Sequence, residues 1–207
     1  MTTPPSPMPA QPVTLSGNAV RLEPLTIDHI AGLVRVGLEP ALWRWIPVPI
    51  TTEDEMRAYV LTALEEQQRG ASLPFAIVDR QSGTVIGSTR YGNIERTHHR
   101  LEIGWTWLAP SHQRTKANTE AKLLLLTHAF ETLHANRVEL KTDSLNEQSR
   151  TAIRRIGALE EGIFRNHMIV GQSGRLRHSV YYSIIKSEWP AVKSRLTERL
   201  ARTGGAV

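Results

Sequence analysis

Apolar and polar residues follow two different periods along this chain. Strand-like alternation occurs in five segments, at 19–25, 73–79, 84–91, 100–108 and 137–142. Helical spacing, with apolar residues three and four positions apart, occurs in four segments, at 27–34, 52–64, 118–133 and 146–156. A hairpin pattern follows at 160–185, and an amphipathic helical segment begins after Trp189. The chain therefore mixes strands and helices along its whole length.

The order of these segments predicts how the sheet is connected. Three strands follow one another between residues 73 and 108 with short polar connections, which predicts an antiparallel meander. The next strand is reached through the helix at 118–133, which predicts a crossover. We therefore expect an α/β fold, a single domain with a mixed, mostly antiparallel central sheet and helices on both faces.

Capping residues mark two of the helix starts. Thr52 and Glu55 have the spacing of a capping box, in which each side chain accepts a hydrogen bond from the other's backbone. Asn146 is placed to cap a short helix that ends at Gly157.

The two ends of the chain depart from the pattern. The first twelve residues hold five of the twelve prolines, separated by small polar residues, so we expect residues 1–14 to form an extended, mobile tail. The domain then covers 15–202, and 203–207 form a frayed C-terminus. Because the first residues lack the basic and apolar regions of a signal peptide, we expect a cytoplasmic protein.

Composition narrows the chemistry that such a domain can perform. The 207 residues carry a net charge of +5 and include no apolar run of the roughly 18 residues that a membrane helix needs. With no cysteine in the chain, disulfides, thiolate metal sites and a cysteine acyl carrier are excluded. The histidines have no metal-ligand spacing, so we expect no metal.

The polar turn between the strand at 100–108 and the next helix is the most informative segment. Such a turn can direct several backbone N–H groups at one point, and the helix dipole adds positive potential there. A pyrophosphate could bind at this position, although an ordinary strand-to-helix loop has the same pattern.

The residues of this turn resemble the acetyl-CoA signature of the GNAT acyltransferases, Gln/Arg-x-x-Gly-x-Gly/Ala. The matching run is Gln113-Arg114-Thr115-Lys116-Ala117-Asn118. Lys116 stands where the family often has glycine, and it would be strained if the position needs a positive φ. Asn118 stands where the family has glycine or alanine, and it could cap the helix.

Three further motifs extend the resemblance over about residues 15 to 195. They are Asn146-x-x-Ser149, Arg155-Ile156-Gly157-Ala158 and Glu188-Trp189-Pro190. Together they resemble the branch that contains the RimJ/RimL-like ribosomal-protein N-terminal acetyltransferases. The resemblance implies direct transfer of an acetyl group from acetyl-CoA to a primary amine, either a protein N-terminus or a small molecule.

The resemblance also implies where the donor binds. Free backbone groups at Trp107 and Leu108 would hold the pantetheine arm, and the loop at 113–118 would hold the pyrophosphate. Asn146 would lie beside the cofactor. Arg150 and Arg154, one turn apart on the same helix, could bind the ribose phosphate, although a solvated helix face is the simpler interpretation.

Two residues are candidates for proton transfer. Alternation places Glu102 on the strand face that also carries Gly104 and Thr106, away from the tryptophans of the strand, and the resemblance makes it the base. Ser149 lies on the inward face of its helix, where its hydroxyl could protonate the departing thiolate. Each residue also has a structural interpretation, as a solvated carboxylate and as a serine bonded to a local carbonyl.

The acceptor side is less well defined by the sequence. Trp43 and Trp45, in the loop between the first two predicted helices, could line the acceptor pocket or fill the core. The partners we expect are acetyl-CoA and an amine, with no membrane and no direct nucleic-acid binding, and a homodimer stays open. Two other functions also stay open, a non-catalytic CoA-binding regulator and a basic nucleic-acid-binding module.

Overall fold

Eight strands form one mixed sheet in this computed structural model, which describes residues 8–202 apart from the side chain of residue 172. The order across the sheet is β1-β2-β3-β4-β5-β6-β8-β7. The strands are β1 Leu15–Ser16, β2 Val20–Pro24, β3 Leu73–Asp79, β4 Val85–Glu95, β5 Arg100–Leu108, β6 Arg137–Asp143, β7 Leu159–Val170 and β8 Arg175–Ile185. Neighbouring strands are antiparallel except for β5 and β6, which are parallel.

The helices agree in number and order with the sequence pattern, with one short addition. They are α1 Ile30–Gly37, α2 Pro40–Trp43, α3 Glu53–Gln68, α4 Lys116–Thr127, α5 Glu147–Ile156 and α6 Trp189–Arg202. The α4 helix continues into one π-helical turn over 128–132. The predicted capping box of α3 is confirmed, since Thr52 Oγ1 accepts from Glu55 N at 3.2 Å and the Glu55 carboxylate accepts from Thr52 N at 3.0 Å.

Two apolar clusters hold the helices to opposite faces of the sheet. The first packs α4 and α6 against the strands, with Leu125 and Leu196 fully buried. The second packs α1, α2 and α3, with Leu33 and Met56 fully buried. The expected α/β domain with helices on both faces is confirmed, as are the meander β3–β5 and the β5–α4–β6 crossover.

The N-terminal segment is ordered earlier than its prolines suggest. Met8 and Ala10 are buried in the core, and Arg96 donates to their carbonyl oxygens at 2.8 and 3.1 Å. The predicted mobile tail is therefore wrong for 8–10, because these residues supply apolar contacts that a composition count does not register. Residues 1–7 of the predicted tail and the predicted frayed end, 203–207, lie outside the described residues.

A buried carboxylate fastens α4 to the first strands. Glu120 accepts hydrogen bonds from the backbone N–H groups of Asn18, Ala19 and Val20 at 2.9, 2.6 and 2.7 Å. These bonds satisfy three backbone N–H groups at the turn between β1 and β2. A charged acceptor makes each bond stronger than a neutral one would be. This contact fixes the beginning of α4 relative to the sheet.

We expect Glu120→Gln to lower the free energy of unfolding by about 2 kcal/mol, because the amide NH₂ would face backbone N–H groups instead of accepting from them. Chemical denaturation measures the change. Glu198→Gln, at an exposed position of α6, is the control and should change stability little. Equal losses in the two variants would contradict the role given to Glu120.

Candidate active site

The two parallel strands at the centre of the sheet separate soon after they pair. Their register runs from Arg100↔Arg137 to Glu102↔Glu139 and stops there, although β5 continues to Leu108 and β6 to Asp143. We call the space between the separating strands the fork. Because both strands point the same way, α4 and α5 begin at its open end.

The backbone of β5 presents only some of its peptide groups to the fork. Ala109 N–H donates to Ile86 O at 2.8 Å, so alternation along the ladder directs the Trp107 peptide groups toward β4 and those of Leu108 toward the fork. Gln113 Nε2 donates to Leu108 O at 3.1 Å, which leaves the Leu108 N–H facing the fork. Of the two residues expected to offer free backbone groups, only Leu108 does so.

Glu102 lies where the fork begins. Its side chain is buried, and Oε2 accepts from Asn93 Nδ2 and from Lys141 Nζ, both at 2.8 Å. The other oxygen, Oε1, lies 2.8 Å from where a Cβ on Gly104 would be, so glycine there leaves this oxygen its space. The carboxylate is thus held at the fork by β4 and β6, with one oxygen not used by either bond.

A bulge in β5 changes which residues share a face with Glu102. Trp105 has φ +49°, and the pairing with β4 shifts register at this point. The Trp105 ring consequently lies against Gly92, the partner of Glu102 in the ladder, whereas Thr106 faces α4. The expected grouping of Glu102 with Thr106, away from the tryptophans, is wrong because the bulge resets the alternation.

A buried lysine lies on the α4 side of the fork and was missed by the sequence analysis. Lys122 Nζ donates to Thr106 Oγ1 at 2.7 Å, and this hydroxyl lies 2.8 Å from Thr89 Oγ1. Burial lowers the pKa of Lys122 to about 7, and the charge of Glu102 acts in the opposite direction. The signal that could have identified it is a lysine three and four positions before the buried Leu125 and Leu126 on the same helix face.

The loop before α4 has a different conformation from the one its motif suggests. Thr115 is the N-cap and accepts from Ala117 N at 3.2 Å, and the left-handed residue is Arg114, with φ +61°. Lys116 is the first helical residue and Asn118 the third, so neither the strain at 116 nor the cap at 118 arises. The first-turn N–H groups point out of the helix start, as an anion site requires.

The start of α5 fits its prediction. Asn146 Oδ1 accepts from Ser149 N at 3.0 Å, which confirms the cap. Ser149 is half-buried in the first turn, at the open end of the fork.

The two arginines expected to bind phosphate are engaged by carboxylates. Arg150 donates to Glu147 at 2.7 Å and to Tyr182 Oη at 3.3 Å. Arg154 lies 3.7 Å from Glu147 and 3.9 Å from Glu160. A phosphate at these guanidinium groups would have to displace Glu147 from both.

The two tryptophans expected at the acceptor pocket have different roles. Trp43 is buried, donates to Gly37 O at 2.7 Å and packs on Trp107 with ring centres 5.4 Å apart, so it belongs to the core. Trp45 is half-buried beside the guanidinium groups of Arg44 and Arg175, 4.8 and 6.0 Å from its ring centre.

The loop between α2 and α3 meets the turn between β7 and β8. A Cβ on Gly171 would lie 2.4 Å from Pro47 O, so the two segments touch. The loop residues 44–50 and this hairpin lie on the Glu102 face of the sheet. We call them together the acceptor wall, after the acceptor site that the sequence predicts at Trp45.

Within residues 8–202, no group of three His, Cys, Asp or Glu side chains is arranged to hold a metal ion. No described helix is both long and apolar enough to cross a bilayer.

Comparison with known proteins identifies the family. Residues 19–159 match the model of the acetyltransferase (GNAT) domain. The chain belongs to the GNAT acetyltransferase family. It is therefore an acetyl-transferring enzyme.

Several known proteins are similar to the chain. It is 37% identical over 111 residues to "Putative ribosomal N-acetyltransferase YdaF" of Bacillus subtilis (strain 168), a match over 54% of this chain and 59% of that protein. The structure of a GCN5-related N-acetyltransferase from Brucella melitensis superposes with a TM-score of 0.87 and 32% identity, over 94% and 89% of the two chains. Mycobacterium smegmatis RimJ in complex with CoA-disulfide has the same fold, with a TM-score of 0.80 and 23% identity over 94% and 97% of the chains.

The lowered pKa of Lys122 predicts how its replacement affects stability. Between about pH 7 and 10.5 the unfolded chain keeps a proton that the folded chain has released, so wild-type stability rises with pH in this window. Lys122→Met removes this dependence. We expect the variant to be more stable than the wild type below pH 7, and the gain to shrink as the pH rises toward 10, by up to about 1.4 kcal/mol per pH unit.

Chemical denaturation at pH 6 and pH 9 measures this difference. Lys186→Met, at an exposed position, is the control and should show no pH-dependent gain. A gain for Lys122→Met that is the same at both pH values would contradict the assignment.

Proposed function

We propose that this GNAT acetyltransferase moves the acetyl group of acetyl-CoA directly to the primary amine of an acceptor, without an acetylated enzyme intermediate. The observation that carries the proposal is the fork with the buried Glu102 where it begins. The fork combines a carboxylate where it begins, an unpaired backbone donor at Leu108 and two helix starts at its open end. The absence of cysteine from the sequence agrees with direct transfer.

The donor side is formed by backbone groups. The Leu108 N–H faces the fork and can polarise an acyl carbonyl. The first turn of α4, with the loop at 113–118, offers N–H groups to a pyrophosphate, and the Lys116 ammonium adds positive charge there. These groups fit a phosphorylated thioester in both charge and placement.

The proton steps are assigned to two side chains. Glu102, through the oxygen not bonded to Asn93 or Lys141, takes a proton from the amine directly or through a water. The amine nitrogen bonds to the acyl carbon as the carbon–sulfur bond breaks, and the Ser149 hydroxyl gives a proton to the departing sulfur. Ser149 then regains a proton from solvent, and Glu102 releases to solvent the proton it took from the amine. Trp45 and the other residues of the acceptor wall position the amine.

The acceptor follows from the relatives as a proposal. YdaF is named for ribosomal N-acetylation and RimJ is a neighbour in fold, so a protein N-terminus is the acceptor these relatives support. A small-molecule amine fits the same chemistry.

We expect CoA to bind at the α4 start and the binding to weaken as salt rises, because phosphate contacts there are partly electrostatic. Lys116→Gln should weaken CoA binding about fivefold, the value of one exposed charge pair. Calorimetry measures both effects, and Lys186→Gln serves as the matched control at an exposed position. Folded protein that binds no CoA would rule out the donor site.

We expect Glu102→Gln to lower turnover about 10²-fold at neutral pH, with a smaller loss at high pH where the amine is already neutral. Glu139→Gln is the matched control, since this neighbouring carboxylate pairs with Glu102 in the ladder but contacts Arg137 instead of Lys141. Thiol release with an active amine measures turnover, and CoA binding should persist in both variants. Parental rates for Glu102→Gln at every pH would show that another group handles the proton.

The same assay separates catalysis from simple binding. If CoA binds but no peptide or small amine causes thiol release, the protein is a CoA-binding regulator and the proposed transfer is wrong.

A further inference from the structure

The charged side chains on the Glu102 face of the fork leave one cation without a carboxylate. Glu102 pairs with Lys141 at 2.8 Å, and the fully buried Asp143 pairs with Arg175. Arg177 is only 6% exposed, and no Asp or Glu oxygen of the described residues lies within 4 Å of it. These two carboxylates and three cations therefore carry one positive charge in excess.

The contacts of Arg177 do not neutralise it. Nε donates to Ser179 Oγ at 3.1 Å and Nη1 donates to Trp45 O at 3.2 Å, and both acceptors are uncharged. A guanidinium has five N–H donors, so these two bonds use a minority of them. Burial lowers the pKa of Arg177, which the charges of Asp143 and Glu102 oppose. A buried cation of this kind is costly unless an anion joins it.

Arg177 belongs to the acceptor wall. It connects β8 to Trp45 in the loop at 44–50, which are the two parts of the acceptor wall. The neighbouring His167 shares the Ser179 hydroxyl through Nδ1 at 3.0 Å, and burial with the charges of Lys141 and Arg177 lowers its pKa. An imidazole cannot supply the missing negative charge, so His167 is no counter-ion for Arg177.

We infer that Arg177 binds a carboxylate of the acceptor, so that the acceptor is an amine that also carries an anionic group. This inference rests on the proposed function and specifies its substrate class. The planar guanidinium matches a carboxylate through two parallel hydrogen bonds. Such an acceptor also compensates the excess positive charge, which would otherwise repel an amine entering in its protonated form.

The carboxylate of the acceptor could come from two sources, which an experiment can distinguish. The carboxylate could be the α-carboxylate of a free amino acid or the acidic side chain of a residue next to a peptide N-terminus. Thiol release with acetyl-CoA would be compared for each amino acid against its amide, and for Ser-Asp-amide against Ser-Asn-amide. The variants are Arg177→Gln and Arg177→Lys, and the control is Arg165→Gln, an exposed arginine of the same hairpin.

We expect wild-type kcat/KM to favour the carboxylate member of one series by about 10- to 100-fold, as for hydrogen bonds to a charged group. Arg177→Gln should reduce this preference to within about twofold, chiefly through KM for the amine, while Arg177→Lys keeps part of it and Arg165→Gln keeps all of it. The KM for acetyl-CoA should not change. Equal rates for both members of every pair, or a preference that survives Arg177→Gln, would overturn the inference.

A binding measurement keeps this result distinct from failure of the proposed function. If CoA binds but no amine is acetylated, the same pairs are titrated into the CoA-bound enzyme and followed by tryptophan fluorescence, to which Trp45 contributes. Tighter binding of the carboxylate members that is lost in Arg177→Gln supports the inference, and equal or absent binding of both members overturns it. Thermal melts show whether each variant is folded, and Arg177→Lys replaces Arg177→Gln if the latter is not.

Discussion

The early end of pairing between β5 and β6 is the constraint on which the rest of the site depends. A strand edge inside a protein leaves backbone donors and acceptors that must be satisfied. Here Gln113 donates to the carbonyl of Leu108, and the Leu108 N–H is directed into the fork. Because the separating strands are parallel, the helices that follow them both begin at the opening. One topological feature therefore positions the loop before α4, the Ser149 turn and the buried carboxylate.

The second requirement is to offset the free-energy cost of the charged side chains that are buried around the fork. Each carboxylate is satisfied by a specific partner, Glu102 by Lys141 and Asn93, and Glu120 by three backbone amides. The buried cations are treated differently, since Lys122 has a lowered pKa and Arg177 has only neutral acceptors. Glu102 and Glu120 are thus held in place by their partners, whereas Arg177 keeps N–H donors that no carboxylate of the described residues uses.

Sequence reasoning located the elements and the motif loop because both depend on local patterns. Capping at Thr52 and Asn146 and the crossover after β5 follow from such patterns and are confirmed. The face of Glu102 could not be predicted, since a bulge at a tryptophan with positive φ has no sequence signal. Trp43 had two interpretations, and only the packing on Trp107 decides for the core.

The hydrogen bonds between Arg96 and the residues before β1 have a practical consequence for recombinant work. Met8 and Ala10 behave as core side chains, and their carbonyl groups anchor a guanidinium on the connection between β4 and β5. A shortened version that begins at β1 would leave a cavity where the Met8 side chain packs. It would also leave the Arg96 guanidinium without its two carbonyl acceptors. An affinity tag at the N-terminus should therefore leave everything from Met8 onward intact.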